Sequence, residues 1–471
     1  MKLALPKGRL LPATSVFLQK AGLSLSDYDE YSRSYRPKCS NFPNLTLKIF
    51  HERDIPIQVA VGNYDLGICG LDWVQELLAK YPRSALVKVR NLVYGKRELY
   101  VTSSKSAGLS SIEKLKAGVD TIRIATEYPN IAEFFALNLR LRRFQIFPLW
   151  GAAEAYPPES ADLALICEKP TYSFSDNELT PLTSILESSA FLVAHQHSWE
   201  SKDMSPLLQH FYIIGGLDEE ETVVQESKNK RRRKKEKISI DSAEALWLAI
   251  PDGHQQQPTL EFLDRAGIQI DNYASKCRRP GINIEGINVK VIRPQDMPLQ
   301  VANQNFDLAI TGQDWLYDHL NRFPSSPVEE ILALGFGSVR IVAVVSNDLP
   351  VDTLYGLREL LRKGALPNLR IASEYVNIAD KYARDNHLSP YRIIPTWGAS
   401  EVFLPEDADL LIENVQTGQT LARHKLKVID TLFESSSCLI GNINIINKSP
   451  RQQRINNIVQ IISQGLETEE M

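Results

Sequence analysis

Tyr64-Asp65-Leu66-Gly67-Ile68-Cys69-Gly70-Leu71-Asp72-Trp73 returns 242 residues later as Phe306-Asp307-Leu308-Ala309-Ile310-Thr311-Gly312-Gln313-Asp314-Trp315. In each copy a turn leads into an apolar strand, a glycine and the start of a helix. Upstream, Leu3-Ala4-Leu5-Pro6-Lys7-Gly8 matches Leu248-Ala249-Ile250-Pro251-Asp252-Gly253. Downstream, nine of fourteen positions are identical between Arg123–Ala136 and Arg370–Ala383, and Trp150-Gly151-Ala152 returns as Trp397-Gly398-Ala399. Such a period is far too long for a solenoid. It indicates two copies of one globular unit, the first spanning residues 1–217 and the second 244–471. The stretch 218–243 between them holds an acidic run, Asp218–Glu221, and a basic run, Lys228–Lys237. Like charges in blocks repel and bury no apolar surface, so it reads as a flexible linker. No aromatic residue interleaves the lysines, and nucleic acid is not expected as a partner.

Composition sets the wider bounds. The chain has 471 residues, 43% hydrophobic and 23% charged, with a formal net charge of −4. That is ordinary globular usage without a global basic field. The five cysteines are scattered, with no CxxC pair, which argues against a zinc site and a disulfide framework. No signal peptide and no transmembrane run is read, so a cytoplasmic protein with no membrane partner is expected.

Within one copy, strands alternate with helices: Lys2–Pro6, then a helix over Ala13–Ala21, then strands at Asn44–Phe50 and Leu66–Cys69. Further on come a strand at Thr121–Thr126, a helix over Asn130–Leu139 and strands at Phe144–Leu149 and Leu163–Ile166. The pattern predicts an α/β fold with mainly parallel sheets, and ~215 residues per copy suggest two lobes. Ligands of such sheets bind at the carboxyl ends of strands. The chemistry is therefore expected at Lys7-Gly8, Gly70-Leu71-Asp72, Glu127-Tyr128 and Thr417–Leu421.

The last of these, Thr417-Gly418-Gln419-Thr420-Leu421, follows the apolar strand that ends near Glu413. Glycine allows close backbone approach, successive N–H groups make an anion nest, and the threonine hydroxyls add donors. Glu413 is placed to accept hydrogen bonds from a sugar. The first copy has Pro170-Thr171-Tyr172-Ser173 there, and proline removes a donor. The loss reverses at the opening loop. The first copy keeps Lys7-Gly8-Arg9, whereas the second has Asp252-Gly253-His254. His51 stands where the second copy has Arg293. Each copy is thus incomplete in a different element.

These residues resemble the ATP phosphoribosyltransferase family in its short catalytic form, fused twice: PKGRL at Pro6–Leu10, RPQDMP at Arg293–Pro298, RIATEYPNIA at Arg123–Ala132 and TGQTL at Thr417–Leu421. The resemblance implies a two-lobed fold like that of periplasmic binding proteins. It implies transfer of the phosphoribosyl group of phosphoribosyl pyrophosphate to N1 of ATP, with Mg²⁺, in histidine biosynthesis. It assigns donor binding to Glu413, Thr417, Gly418, Gln419, Thr420 and Leu421. ATP binding falls to Gly8, Glu127, Gly312, Asp314 and Glu374, and catalytic charge to Lys7, Arg9 and Arg293. A histidyl-tRNA-synthetase-like regulatory subunit is implied as a partner, and the family's dimeric habit suggests a pseudo-dimer within the chain or a homo-oligomer. Three readings stay open: one site shared between the copies, with cations from Lys7, Arg9 or the Arg33–Arg36 segment of the first, the second copy acting alone, and a non-catalytic nucleotide-binding regulator.

Overall fold

The computed structural model describes the chain except residues 33, 110, 118–119, 170–173, 214–244, 274–276, 447–451 and 468–471. The stretch read as a linker, 218–243, and the altered loop Pro170–Ser173 both lie outside the described residues.

Each half builds two five-stranded sheets. The opening sheet of the first half runs Thr46–His51, Lys2–Lys7, Leu66–Gly70, Ala190–His195, Leu86–Asn91. Its first three strands are parallel, and the last two pair antiparallel. The closing sheet runs Leu179–Ser188, Arg97–Ser104, Leu163–Glu168, Ile122–Thr126, Phe144–Pro148. The second half repeats both orders, from Ile287–Ile292 through Leu246–Pro251, and from Leu426–Ser435 through Tyr391–Pro395. The expected parallel ladders lie in each of the five-stranded sheets. The antiparallel strands are those through which the chain crosses between lobes, Asn91 to Arg97 and Ser188 to Ala190. No helix separates Leu179–Ser188 from Ala190–His195, so this pair escapes a reading based on alternation.

Local chemistry explains the elements. Leu3-Ala4-Leu5-Pro6 is buried at four successive positions, as a central parallel strand covered on both faces must be. The helix Leu11–Lys20 carries proline in its first turn, and Gly22 follows its end at φ 74°.

The halves pair within the chain, head to tail. The opening lobe of the first half packs on the closing lobe of the second in one apolar cluster that joins Phe50, Ile55, Val59 and Tyr64 to Val402, Phe403, Ala408 and Leu421. Phe50 and Phe403 meet edge to face at 5.3 Å. A twin cluster joins Tyr156, Ala161 and Ala164 of the first half to Ile292, Met297 and Phe306 of the second. Trp150 and Trp397, whose rings lie 6.4 Å apart, meet between the two clusters. Polar contacts repeat with the same symmetry. Arg36 binds the Leu404 carbonyl and Glu406, and Arg279 binds the Pro157 carbonyl and Glu159. No helix of the described residues is long and apolar enough to cross a membrane.

Candidate active site

The strand Leu410–Val415 ends in the Thr417–Leu421 turn. Gly418, at φ 74°, caps the helix Gln419–Arg423, and no atom stands within 4 Å of where its side chain would begin. The first N–H groups of a helix have no partner inside it, so those after Gly418 are available to an anion. Thr417, Gln419 and Thr420 are exposed, while Leu421 anchors the turn in the interface between the halves. A threonine such as Thr171 at the Gly418 position would be strained at this φ.

Three carboxylates of the second half share this cleft. Burial pushes Glu374 up to about 7, with Glu401 adding repulsion against a hydrogen bond from the Gly398 N–H. Burial also raises Glu413 well above the usual range, helped by Glu374 and Glu401. Cations approach from both halves. Lys7 of the first half, beside Arg36 and Arg423, is among the positive charges that act on His424, the residue after the loop helix. Lys7 Nζ lies 2.8 Å from the Tyr35 hydroxyl, and the Tyr35 ring sits 5.0 Å from His424. Gly8 stands at φ 81°, with no atom within 4 Å of where its side chain would begin.

Other expected residues go elsewhere. Arg9 does not join the loop. Its guanidinium bridges Glu52 at 2.9 Å and Asp72 at 2.9 Å inside the first half, and Asp72 also accepts from Tyr128 and Ser188. Two buried carboxylates hold it more tightly than an exposed loop could, because their own desolvation demands a cation. Asp314 likewise turns inward, accepting from Tyr375 at 2.5 Å and Ser435 at 3.1 Å, with Gly312 capping its helix. Arg293 sits in the twin cleft. It pairs with Asp252 at 3.1 Å, packs against Gly151 and faces Glu127, which burial and Glu154 push up to about 7. His51, in the matching position, is held down to about 4 by burial and by Arg53, Lys7, Arg9 and Arg293. A neutral imidazole there avoids adding a fifth positive charge.

Tyr35, Glu401, Arg423 and His424 join the site without having been expected. For Glu401 a signal existed: it and Glu154 follow the two Trp-Gly-Ala repeats at matching distances. Tyr35 carries no such mark, since its partners become neighbours only after folding.

A family model described as ATP phosphoribosyltransferase matches residues 51–212 and again 293–464, one stretch in each half. The chain belongs to the ATP phosphoribosyltransferase family. Among its relatives, the ATP phosphoribosyltransferase of Saccharolobus solfataricus is 35% identical over 217 residues, covering 45% of this chain and 69% of the relative. That of Prosthecochloris aestuarii is 30% identical over 226 residues, covering 47% and 71%. Each relative thus aligns with about half of the chain, in keeping with two tandem copies of the family's catalytic unit. Among solved structures, the HisG:HisZ ATP phosphoribosyl transferase complex from Thermotoga maritima aligns with a TM-score of 0.38 and 21% identity, over 45% of this chain and 97% of that one.

Proposed function

We infer that this protein is an ATP phosphoribosyltransferase working in one cleft, where the second half supplies the loop and the first half supplies Lys7. The observation that carries this reading is the glycine-threonine turn at Thr417–Leu421, intact in a chain whose two halves both match the family. On this reading the turn holds the 5′-phosphate of phosphoribosyl pyrophosphate. Glu413 accepts hydrogen bonds from the ribose hydroxyls of the donor, and Glu374 serves ATP. N1 of ATP attacks the anomeric carbon, its bond to pyrophosphate breaks, and the electron pair leaves with the pyrophosphate. Such a displacement needs alignment and charge neutralisation and no protein nucleophile.

Among the described residues no three or more His, Cys, Asp or Glu side chains are grouped to hold a metal ion. Glu374, Glu401 and Glu413 are the carboxylates that would face a magnesium ion brought into the cleft on the substrates. Bound to pyrophosphate, the ion would neutralise the leaving charge. Arg9 pairs with Asp72 inside the first half, which favours a structural role for Arg9. A regulatory subunit resembling histidyl-tRNA synthetase and a cytoplasmic location belong to the same proposal.

The test is direct. Purified full-length chain with ATP, phosphoribosyl pyrophosphate and Mg²⁺ is expected to form phosphoribosyl-ATP and pyrophosphate in equal amounts. Nucleotide binding by calorimetry without product would overturn the enzymatic reading in favour of a regulator.

A further inference from the structure

The duplicated interface makes each cleft a control for the other. In the loop cleft, Lys7 Nζ donates to the Tyr35 hydroxyl at 2.8 Å and lies 4.7 Å from the ring centre. Glu401 of the second half is the carboxylate whose charge acts on the same hydroxyl. The order is ammonium, hydroxyl, carboxylate. In the twin cleft the matching places are Asp252, Arg278 and Glu154. Arg278 donates to Asp252 at 2.8 Å and to Glu154 at 2.7 Å. The match is fixed by the next residue, since Arg36 and Arg279 grip equivalent carbonyls and glutamates.

Each bridge suits its ends. A group between a cation and an anion must accept on one side and donate on the other, which a tyrosine hydroxyl does without charge. A group between two carboxylates must donate on both sides, and a guanidinium does this with a compensating charge. The consequences for a ligand are opposite. An ammonium has three N–H donors, and Tyr35 uses one of them. The Lys7 side chain is exposed, and the Tyr35 ring beside it packs on His424, the residue after the loop helix. The twin cluster turns its arginine onto its own carboxylates.

We propose that Tyr35 is a positioning residue acting across the copy–copy interface: it holds the Lys7 ammonium toward the phosphate loop of the second half for the anionic ribosyl donor, while Arg278 seals the twin cleft. The proposal rests on the reading of Thr417–Leu421 as the donor site. Tyr35 acts through Lys7 and touches no reacting atom.

The experiment uses full-length chain and Tyr35→Phe, which removes the hydroxyl and keeps the ring. Phosphoribosyl pyrophosphate affinity is read by calorimetry, and KM and kcat by initial rates. A rise of roughly 5- to 20-fold in donor Kd and KM is expected, with kcat, the KM for ATP and Tm nearly unchanged. In a double-mutant cycle, Tyr35→Phe is expected to add nothing to Lys7→Met, because the hydroxyl works only through that lysine. An unchanged donor Kd, or effects that add, would overturn the proposal. If the wild type binds the donor yet forms no product, the catalytic reading falls, and the ratio of donor Kd values still decides the role of Tyr35. A wild type that binds no donor would overturn both.

Discussion

The two clefts start from the same backbone and the same apolar clusters, yet they hold charge differently. Around the loop cleft, Lys7, Arg36 and Arg423 approach His424, and three glutamates line the opposite wall. In the twin cleft, Arg278 and Arg293 are both paired with Asp252. The interfaces beneath them differ too. Lys48 is buried against two carboxylates, Glu406 and Asp407, and Tyr64 also donates to Asp407. At the matching places Lys290, Ser160 and Phe306 leave the second lysine with Glu159 as its carboxylate. Burial, then Arg279, lowers Lys290 to about 7. Duplication has let the two clefts pair their charges differently, because a pair of sites in one chain can diverge where a dimer of identical chains cannot.

The comparison would break most visibly at the loop. Gly418→Thr gives the second half the residue of the first. A β-branched residue at φ 74° is strained and crowds the nest. The donor kcat/KM is expected to fall at least ~100-fold, about 2.7 kcal/mol of transition-state stabilisation. A loss under threefold in initial-rate assays would show that the turn does not grip the donor.

Arg9→Met tests whether the first half's cation is structural. Glu52 and Asp72, with side chains 5% and 0% exposed, would lose their shared partner. Breaking a buried pair by removing one member costs about 3–5 kcal/mol. Urea denaturation is expected to show that loss, with kcat of the folded protein within about threefold of wild type. A large fall in kcat without loss of stability would return Arg9 to the catalytic groups.

The smallest effect sharpens the contrast between the interfaces. Between pH 7 and the usual lysine range, the unfolded chain holds a proton at Lys290 that the folded chain does not. Folding stability therefore rises with pH through that window. Ser160→Asp supplies the second carboxylate that Lys48 already has. It is expected to raise Tm most at pH 6–7 and to flatten the rise above it. Asp407→Ser should do the reverse at Lys48, at roughly 1–3 kcal/mol, less than loss of a whole buried pair because Glu406 stays. Thermal scans from pH 6 to 10 read both; parallel curves for all three proteins would remove the asymmetry.

The sequence by itself determined the duplication, the α/β lobes and the place of the Thr417–Leu421 turn. These rest on local patterns: strand and helix periodicity, a glycine that tolerates positive φ, and strings that repeat in one order. Only the tertiary structure decided the fate of the charges. Lys7 and Arg9 stand two positions apart and look interchangeable in the sequence, yet one meets Tyr35 and the cleft while the other meets Glu52 and Asp72. The reason is physical. A charge takes the partner whose burial most needs it, and burial arises from contacts between segments far apart along the chain. The pairing of the halves with each other was settled in the same way, by apolar faces that become complementary only after each lobe has formed.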